Sequence, residues 1–205
     1  MLYLIIIAFA VLIISIIVAL ATSVPYFQVL GLTTLAVVIV VAIDGLTATV
    51  CRLLPAKFAD HDKKIFKVNA EEKKFYEKLK IRKWKDRVPE IGQFTGFRKN
   101  KLDDPKNPEY IDRFLLETCY GEIGHFTSFF TSFLLLLFFP ISRIWLAIAI
   151  PVSCVSALMN LPSFIILRYN SYKLEVLKKS AMRKLEWERS KAENAQAEVA
   201  VAVTE

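Results

Sequence analysis

Four stretches of the chain are almost free of charge: residues 2–20, 28–51, 114–139 and 144–167. Each is long enough to cross a hydrocarbon core of roughly 30 Å at about 1.5 Å per residue. The pattern predicts an all-α, polytopic membrane protein with four transmembrane helices. Between the second and third runs the character changes. Residues 60–87 set Phe75, Leu79 and Trp84 among many lysines. That is the pattern of an amphipathic helix lying along the interface, with lysine stems buried and ammonium groups in water. Residues 88–108 carry Pro89, Gly92, Gly96, Pro105 and Pro108 and read as loop. From Ser171 to about Lys191 a charged helix is expected, with Leu174, Leu177, Met182, Leu185 and Trp187 along it. The last dozen residues read as frayed or disordered. The chain therefore divides into two spans (1–51), a basic loop (52–113), two further spans (114–170) and a charged tail (171–205).

Charge adds orientation. The 205 residues are 55 % apolar and 23 % charged, with a formal charge of +7, so apolar and charged residues are segregated into blocks. Residues 52–113 hold 18 Lys/Arg against 11 Asp/Glu, and residues 168–205 hold 8 against 6. The connections 21–27 and 140–143 contain only Arg143. Basic residues near span ends mark the cytoplasmic side. Both termini, the long loop and the tail are thus expected inside a cell membrane, and the two short turns outside. Because the basic residues flank spans, the expected partner of this charge is the lipid bilayer and not a nucleic acid. Ala19-Leu20-Ala21 resembles a signal-peptide cleavage site. However, no positive segment precedes it, and the apolar run exceeds the usual roughly 7–15 residues, so a retained first span is expected. Cys51, Cys119 and Cys154 share no metal-ligand spacing and read as small apolar side chains.

The candidate chemistry lies in polar residues inside spans. A charge at mid-bilayer costs at least ~2.5 kcal/mol, so such groups face a bundle interior or a cavity. The ionisable ones are Asp44, Glu117, Glu122 and His125; Asn160 is neutral. At 100° per residue, Thr118, Glu122 and His125 share one narrow face of the third span. Beside it runs a stripe of Glu117, Gly121, Gly124, Ser128 and Ser132, suited to close helix contact. In the fourth span Ser153, Ser156, Asn160 and Ser163 line one face, and Pro162 should kink the helix near Asn160. Stripe should meet stripe. Counting inward from Arg52, Arg113 and Arg168 puts Asp44, Glu122 and Asn160 at a common depth of about 12–13 Å, with His125 deeper. One shared cavity open to the cytoplasm is expected. In it Glu122 would orient His125, His125 would act as general base, and Asn160 or Arg168 would donate to a developing oxyanion. Each of these groups has a plainer use as packing glue between helices. Two ligands at i and i+3 are too few to claim a metal site, and no resident cofactor is indicated.

Glu117-Thr118, Glu122 and His125 form E-T-x-x-x-E-x-x-H. Asn160, Pro162 and Arg168-Tyr169-Asn170 form N-x-P-x-x-x-x-x-R-Y-N, and Arg82-Lys83-Trp84-Lys85 lies upstream. This set, in this order, resembles the glycosyl-4,4'-diaponeurosporenoate acyltransferase family, credited with the last acylation of staphyloxanthin in Gram-positive bacteria. The resemblance covers roughly residues 50–175. It implies transfer of a fatty acyl chain to a sugar hydroxyl of a membrane lipid, from a cytosolic acyl-coenzyme A or acyl carrier protein thioester. The matching positions are Glu117, Glu122, His125, Asn160, Arg168, Tyr169 and Asn170. On this reading His125, Glu122, Asn160 and Arg168 are catalytic. Glu117, Thr118, Asp44, Tyr169, Asn170, Arg82, Lys83 and Trp84 would bind substrate, the basic segment from Lys78 to Arg87 holding phosphates or anionic headgroups. An extra first span and a longer charged tail depart from the family pattern. The alternatives are a membrane scaffold or lipid-binding protein acting through loop and tail, or another lipid-modifying enzyme.

Overall fold

A computed structural model describes residues 2–88, 104–138 and 142–204, with side chains from 4 to 196 within those ranges. The described residues are helical throughout, with no strand. The helices are α1 (Leu2–Thr22), α2 (Tyr26–Leu53), α3 (Ala70–Lys78), α4 (Ile81–Trp84), α5 (Pro108–Thr131) and α6 (Arg143–Thr204). Tighter 3-10 turns occupy Ala56–Phe58, Lys85–Arg87 and Ser132–Leu137.

Three of these helices, α1, α2 and α6, are long and apolar enough to cross a membrane. The apolar side chains that α1 turns outward, among them Leu4, Phe9, Ile17 and Leu20, are exposed, as a lipid-facing helix requires. Where the helices meet, Ile14, Val18, Val29, Ala36, Val40, Trp145, Ile148 and Val152 form a buried core.

The third expected span takes a different form. Its helix begins earlier, at Pro108, where the Asn107 side chain accepts from the amides of Glu109 and Tyr110 (3.0 and 3.3 Å). It ends at Thr131, and Ser132–Leu137 tightens into 3-10 geometry. The Ser132 carbonyl accepts from Ser153 Oγ of α6 at 2.9 Å, which helps fix the turn there. Glu109, Asp112, Arg113, Glu117 and Glu122 all lie on α5, so it lacks the uniformly apolar length of the other three.

The amphipathic segment is broken as well. Asn69 caps α3 by accepting from Glu72 N at 2.7 Å, and Lys80, in the left-handed region at φ 52°, turns the chain into α4. Most of the expected loop 88–108 lies outside the described residues. The tail does not fray as expected: α6 runs without a break through Pro151 and Pro162 to Thr204, joining the fourth span and the tail in one helix.

The helical stripes meet as expected. Ser132 Oγ and Ser156 Oγ lie 3.0 Å apart, and a Cβ at Gly121 would sit 2.8 Å from Leu167 Cδ1. On the side of this run away from the stripes, Phe130 and Leu134 are exposed, whereas Leu116 and Ile123 are partly buried against Ala59, Phe66 and Cys119. Beyond the apolar bundle, Ile111, Phe114 and Leu115 of α5 pack on Leu174 and Ala181 of α6. Tyr76 and Ile81 of the α3–α4 segment pack on Ile166 and Tyr169. The segment is thereby held against the site-bearing helices.

Candidate functional site

The expected site residues fall into two polar centres on α5 and α6. The inner one joins three helices. Asp44 Oδ2 of α2 accepts from Ser156 Oγ (2.9 Å) and from Asn160 Nδ2 (3.4 Å), both on α6. Asn160 Oδ1 lies 2.9 Å from His125 Nδ1 of α5. Asn160 Nδ2 also reaches the Ser156 carbonyl at 3.2 Å. A carboxylate can only accept, so it draws the amide NH2 toward itself and leaves Oδ1 for the ring. The ring proton then sits on Nδ1, donating to Asn160, and the lone pair on Nε2. Asp44, Asn160 and His125 thus form an orienting chain ending in a base of fixed tautomer.

The outer centre surrounds Arg168. Its Nε and Nη2 donate to the two carboxylate oxygens of Glu72 at 2.9 and 2.8 Å, a bidentate pair. Nη1 donates to the Ile65 carbonyl (2.7 Å) and to Glu122 Oε2 (3.2 Å). Ser171 Oγ donates to Glu122 Oε1 at 2.5 Å, and Tyr76 OH to Glu72. Burial alone would raise the Glu72 carboxyl, but the hydrogen bonds and charge of Arg168, with Tyr76 and the Asn69 backbone, leave it below its ordinary value. For Tyr76, burial first and then the Glu72 carboxylate push the phenol up.

Two expectations are corrected here. Glu122 does not orient His125: its two oxygens are held by Ser171 and Arg168, and the ring is held by Asn160. Arg168 is not an idle oxyanion donor either, because four of its donor contacts are made to Glu72, Ile65 and Glu122. The expected single cavity is replaced by these two centres, since the buried Arg168 of α6 draws one carboxylate from the loop helix α3 and one from α5. Glu72, Tyr76 and Ser171 were not expected at the site. The signal for Glu72 was available: an arginine at a span end needs acceptors, and the loop helix offers carboxylates one turn apart from lysines.

The other expected residues are placed as follows. Thr118 is buried and returns its hydroxyl to the Phe114 carbonyl at 2.8 Å. Glu117 meets Arg52 at 3.2 Å, in the last turn of α2. Arg82 Nε donates to Tyr169 OH at 2.8 Å, so two of the expected substrate-binding residues are brought together. Lys83 is exposed, and Trp84 Nε1 donates to the Leu79 carbonyl. Asn170 is buried, and its Nδ2 has no hydrogen-bond partner.

A further histidine that the pattern did not single out, His61, lies beside an open hollow lined by Lys57, Asp60, Asp112, Arg113 and Leu116. Its Nε2 is 3.5 Å from Asp112 and 3.3 Å from Lys178 Nζ, which itself pairs with Asp112. Asp60, His61 and Asp62 offer three potential ligand atoms within 4.8 Å of one another. Two of these three residues are on the surface segment's exposed side, and the lysine ammonium already supplies positive charge there.

Apolar helices long enough to cross a membrane, around buried polar centres in one of which Asn160 bridges His125 and Asp44, are the features of a membrane protein. The family follows from the sequence: the family model for glycosyl-4,4'-diaponeurosporenoate acyltransferase matches residues 60–180, more than half the chain, and the chain belongs to that family. Membership supports an acyltransferase role in general. Neither curated proteins nor solved structures gave a match.

Proposed function

We propose that the protein transfers a fatty acyl chain from a cytosolic thioester, of coenzyme A or an acyl carrier protein, to a hydroxyl of a glycosylated or other membrane lipid. The observation that carries this reading is the Asp44–Asn160–His125 chain, in a protein of an acyltransferase family. His125 Nε2 takes the proton of the acceptor hydroxyl as its oxygen attacks the thioester carbonyl. A tetrahedral intermediate forms, the C–S bond breaks, and the thiolate leaves, taking the proton from the imidazolium. The products are an ester and a free thiol. Asp44 and Asn160 act through the ring as positioning residues.

The reading also needs four crossings. Arg168, where the apolar part of α6 gives way to its charged part, pairs with Glu72 in the segment after α2, and Lys178 pairs with Asp112. The end of α2 and the tail portion of α6 therefore share one side. If α2 and α6 both cross, the chain between them must cross as well, and α5 with its 3-10 extension is the element available. From Glu117 to Thr131 the helix rises about 21 Å, and the six 3-10 residues add about 12 Å, which together match a core of roughly 30 Å. The basic residues flanking the spans support a cytoplasmic position for the shared side and for both termini.

The test is acyl transfer by membranes containing the full chain, read as the acylated lipid by mass spectrometry, with protein level checked by blot. His125→Ala should lower product formation by about 100-fold or more. Wild-type product levels from His125→Ala would overturn the role.

A further inference from the structure

Two cations converge on one tyrosine side chain midway along α6, just past its apolar part. Tyr169 is buried, packed with Tyr76, Ile81 and Ile166, so its ring is fixed. Its hydroxyl holds Arg82 Nε at 2.8 Å. Lys173, one turn further along α6, places its ammonium 4.5 Å from the centre of the same ring. Beside them, Lys73 lies over the Tyr172 ring at 4.7 Å. Lys73 has Glu77 at 3.9 Å, but among the described residues neither Arg82 nor Lys173 forms an ion pair with a carboxylate. Like charges gathered on a phenol repel, and an anion between them would relieve that repulsion. Pinning Arg82 by Nε leaves the two terminal guanidinium nitrogens, the fork that suits phosphate oxygens, without a protein acceptor among the described residues. By contrast, the hollow at His61 carries both signs of charge and is already internally paired.

We propose that Arg82, Lys173 and Tyr169 form a clamp for a phosphate ester at the cytoplasmic mouth of the helix bundle. Resting on the acyl-transfer reading, the phosphate is that of the donor, since a cytosolic thioester of coenzyme A or of a carrier protein carries phosphate esters at the end remote from the acyl chain. Tyr169 positions the guanidinium, Arg82 supplies the fork, and Lys173 supplies a mobile point charge. The same chemistry would accept an anionic lipid headgroup.

The test uses the full chain in nanodiscs of zwitterionic lipid, titrated with coenzyme A at low salt and followed by calorimetry. Wild type should bind, and Arg82→Gln and Lys173→Gln should each weaken binding about tenfold. Arg82→Lys should weaken it less, pantetheine (which lacks phosphate) should not bind, and Lys184→Gln on the exposed tail should bind as wild type does. His125→Ala should bind normally, so loss of the base role and loss of the clamp are separate results. Native mass spectrometry of detergent-purified protein gives the second arm. If coenzyme A does not bind but phosphatidylglycerol is retained by wild type and lost from both Gln variants, the phosphate is a lipid headgroup and the donor assignment falls. If the Gln variants change neither measurement, the clamp itself is overturned.

Discussion

At the scale of single residues, the two polar centres give opposite expectations for neutralising their carboxylates, Glu122 on α5 and Asp44 on α2. Glu122→Gln keeps an acceptor for Ser171 but removes the charge facing Arg168. It should lower stability by about 2 kcal/mol, a typical value for a hydrogen bond to a charged group, and leave the pH profile of turnover per folded molecule unchanged. Asp44→Asn should do the reverse. An amide at 44 leaves the Ser156 carbonyl as the one obligate acceptor reported for the Asn160 NH2, so the orientation of that amide and the selection of the His125 tautomer are weakened. Turnover should fall at least about tenfold, as for other loosened base–orienter pairs, with thermal stability in detergent little changed. Kinetics and thermal unfolding on the same preparations read both. Asp44 and Asn160 were legible as polar groups at a common depth, with His125 deeper, because polar groups in an apolar span are rare enough to stand out. Their pairing was not. Helical periodicity sets which residues share a face of one helix, but the partner of His125 lies on another helix, 35 residues away.

At the scale of elements, helix contact and loop attachment are separately testable. A Cβ at Gly121 would meet Leu167 at 2.8 Å, whereas one at Gly124 would meet nothing within 4 Å. Gly121→Val should destabilise the protein by about 1–3 kcal/mol through overpacking, while Gly124→Ala should be neutral or stabilising by up to about 1 kcal/mol through helix propensity. Both glycines belonged to one small-residue stripe in the sequence, and only the rotation of α5 against α6 separates their tasks. The α3 attachment depends on pH. The Glu72 carboxyl is held below its ordinary value, so it binds protons less readily in the folded state than in the unfolded one. Its contribution is present above the ordinary carboxylate value and is lost as pH falls through the lower folded value. Hydrogen exchange of α3 should stay slow from pH 7 down to about 5 and accelerate below the ordinary value. In Glu72→Gln it should be fast across the range. Unchanged protection of α3 in Glu72→Gln would sever this link. The break between α3 and α4 was not legible, because lysine at φ 52° carries no sequence mark of the kind glycine would.

At the scale of the whole molecule, the arrangement of crossings decides whether the two centres can serve one reaction. Three apolar helices were plain in the sequence because their hydropathy is continuous. The third apolar run, expected as a further crossing through residue 139, is a polar-faced helix that ends at Thr131, and the residues after it, helical by composition, tighten into 3-10 geometry where Ser153 donates to the Ser132 carbonyl. The Arg168–Glu72 and Lys178–Asp112 pairs tie the loop and the tail together. A topology with α5 folded back on one side would carry Ser142 and the loop on the same face and would send the tail across the membrane, away from its partners. The four-crossing arrangement therefore predicts a specific labelling pattern in a background without Cys51, Cys119 and Cys154. Cysteines introduced at Ser23 and Ser142 should react with an impermeant maleimide on intact cells. Cysteines at Lys64 and Lys191 should react only after permeabilisation. Labelling of Lys191→Cys from outside would place the tail on the wrong side, make the ion pairs to the loop impossible, and remove the cytosolic approach that a thioester donor requires. Protection of Ser142→Cys in intact cells, with Ser23→Cys labelled, would show that α5 does not cross.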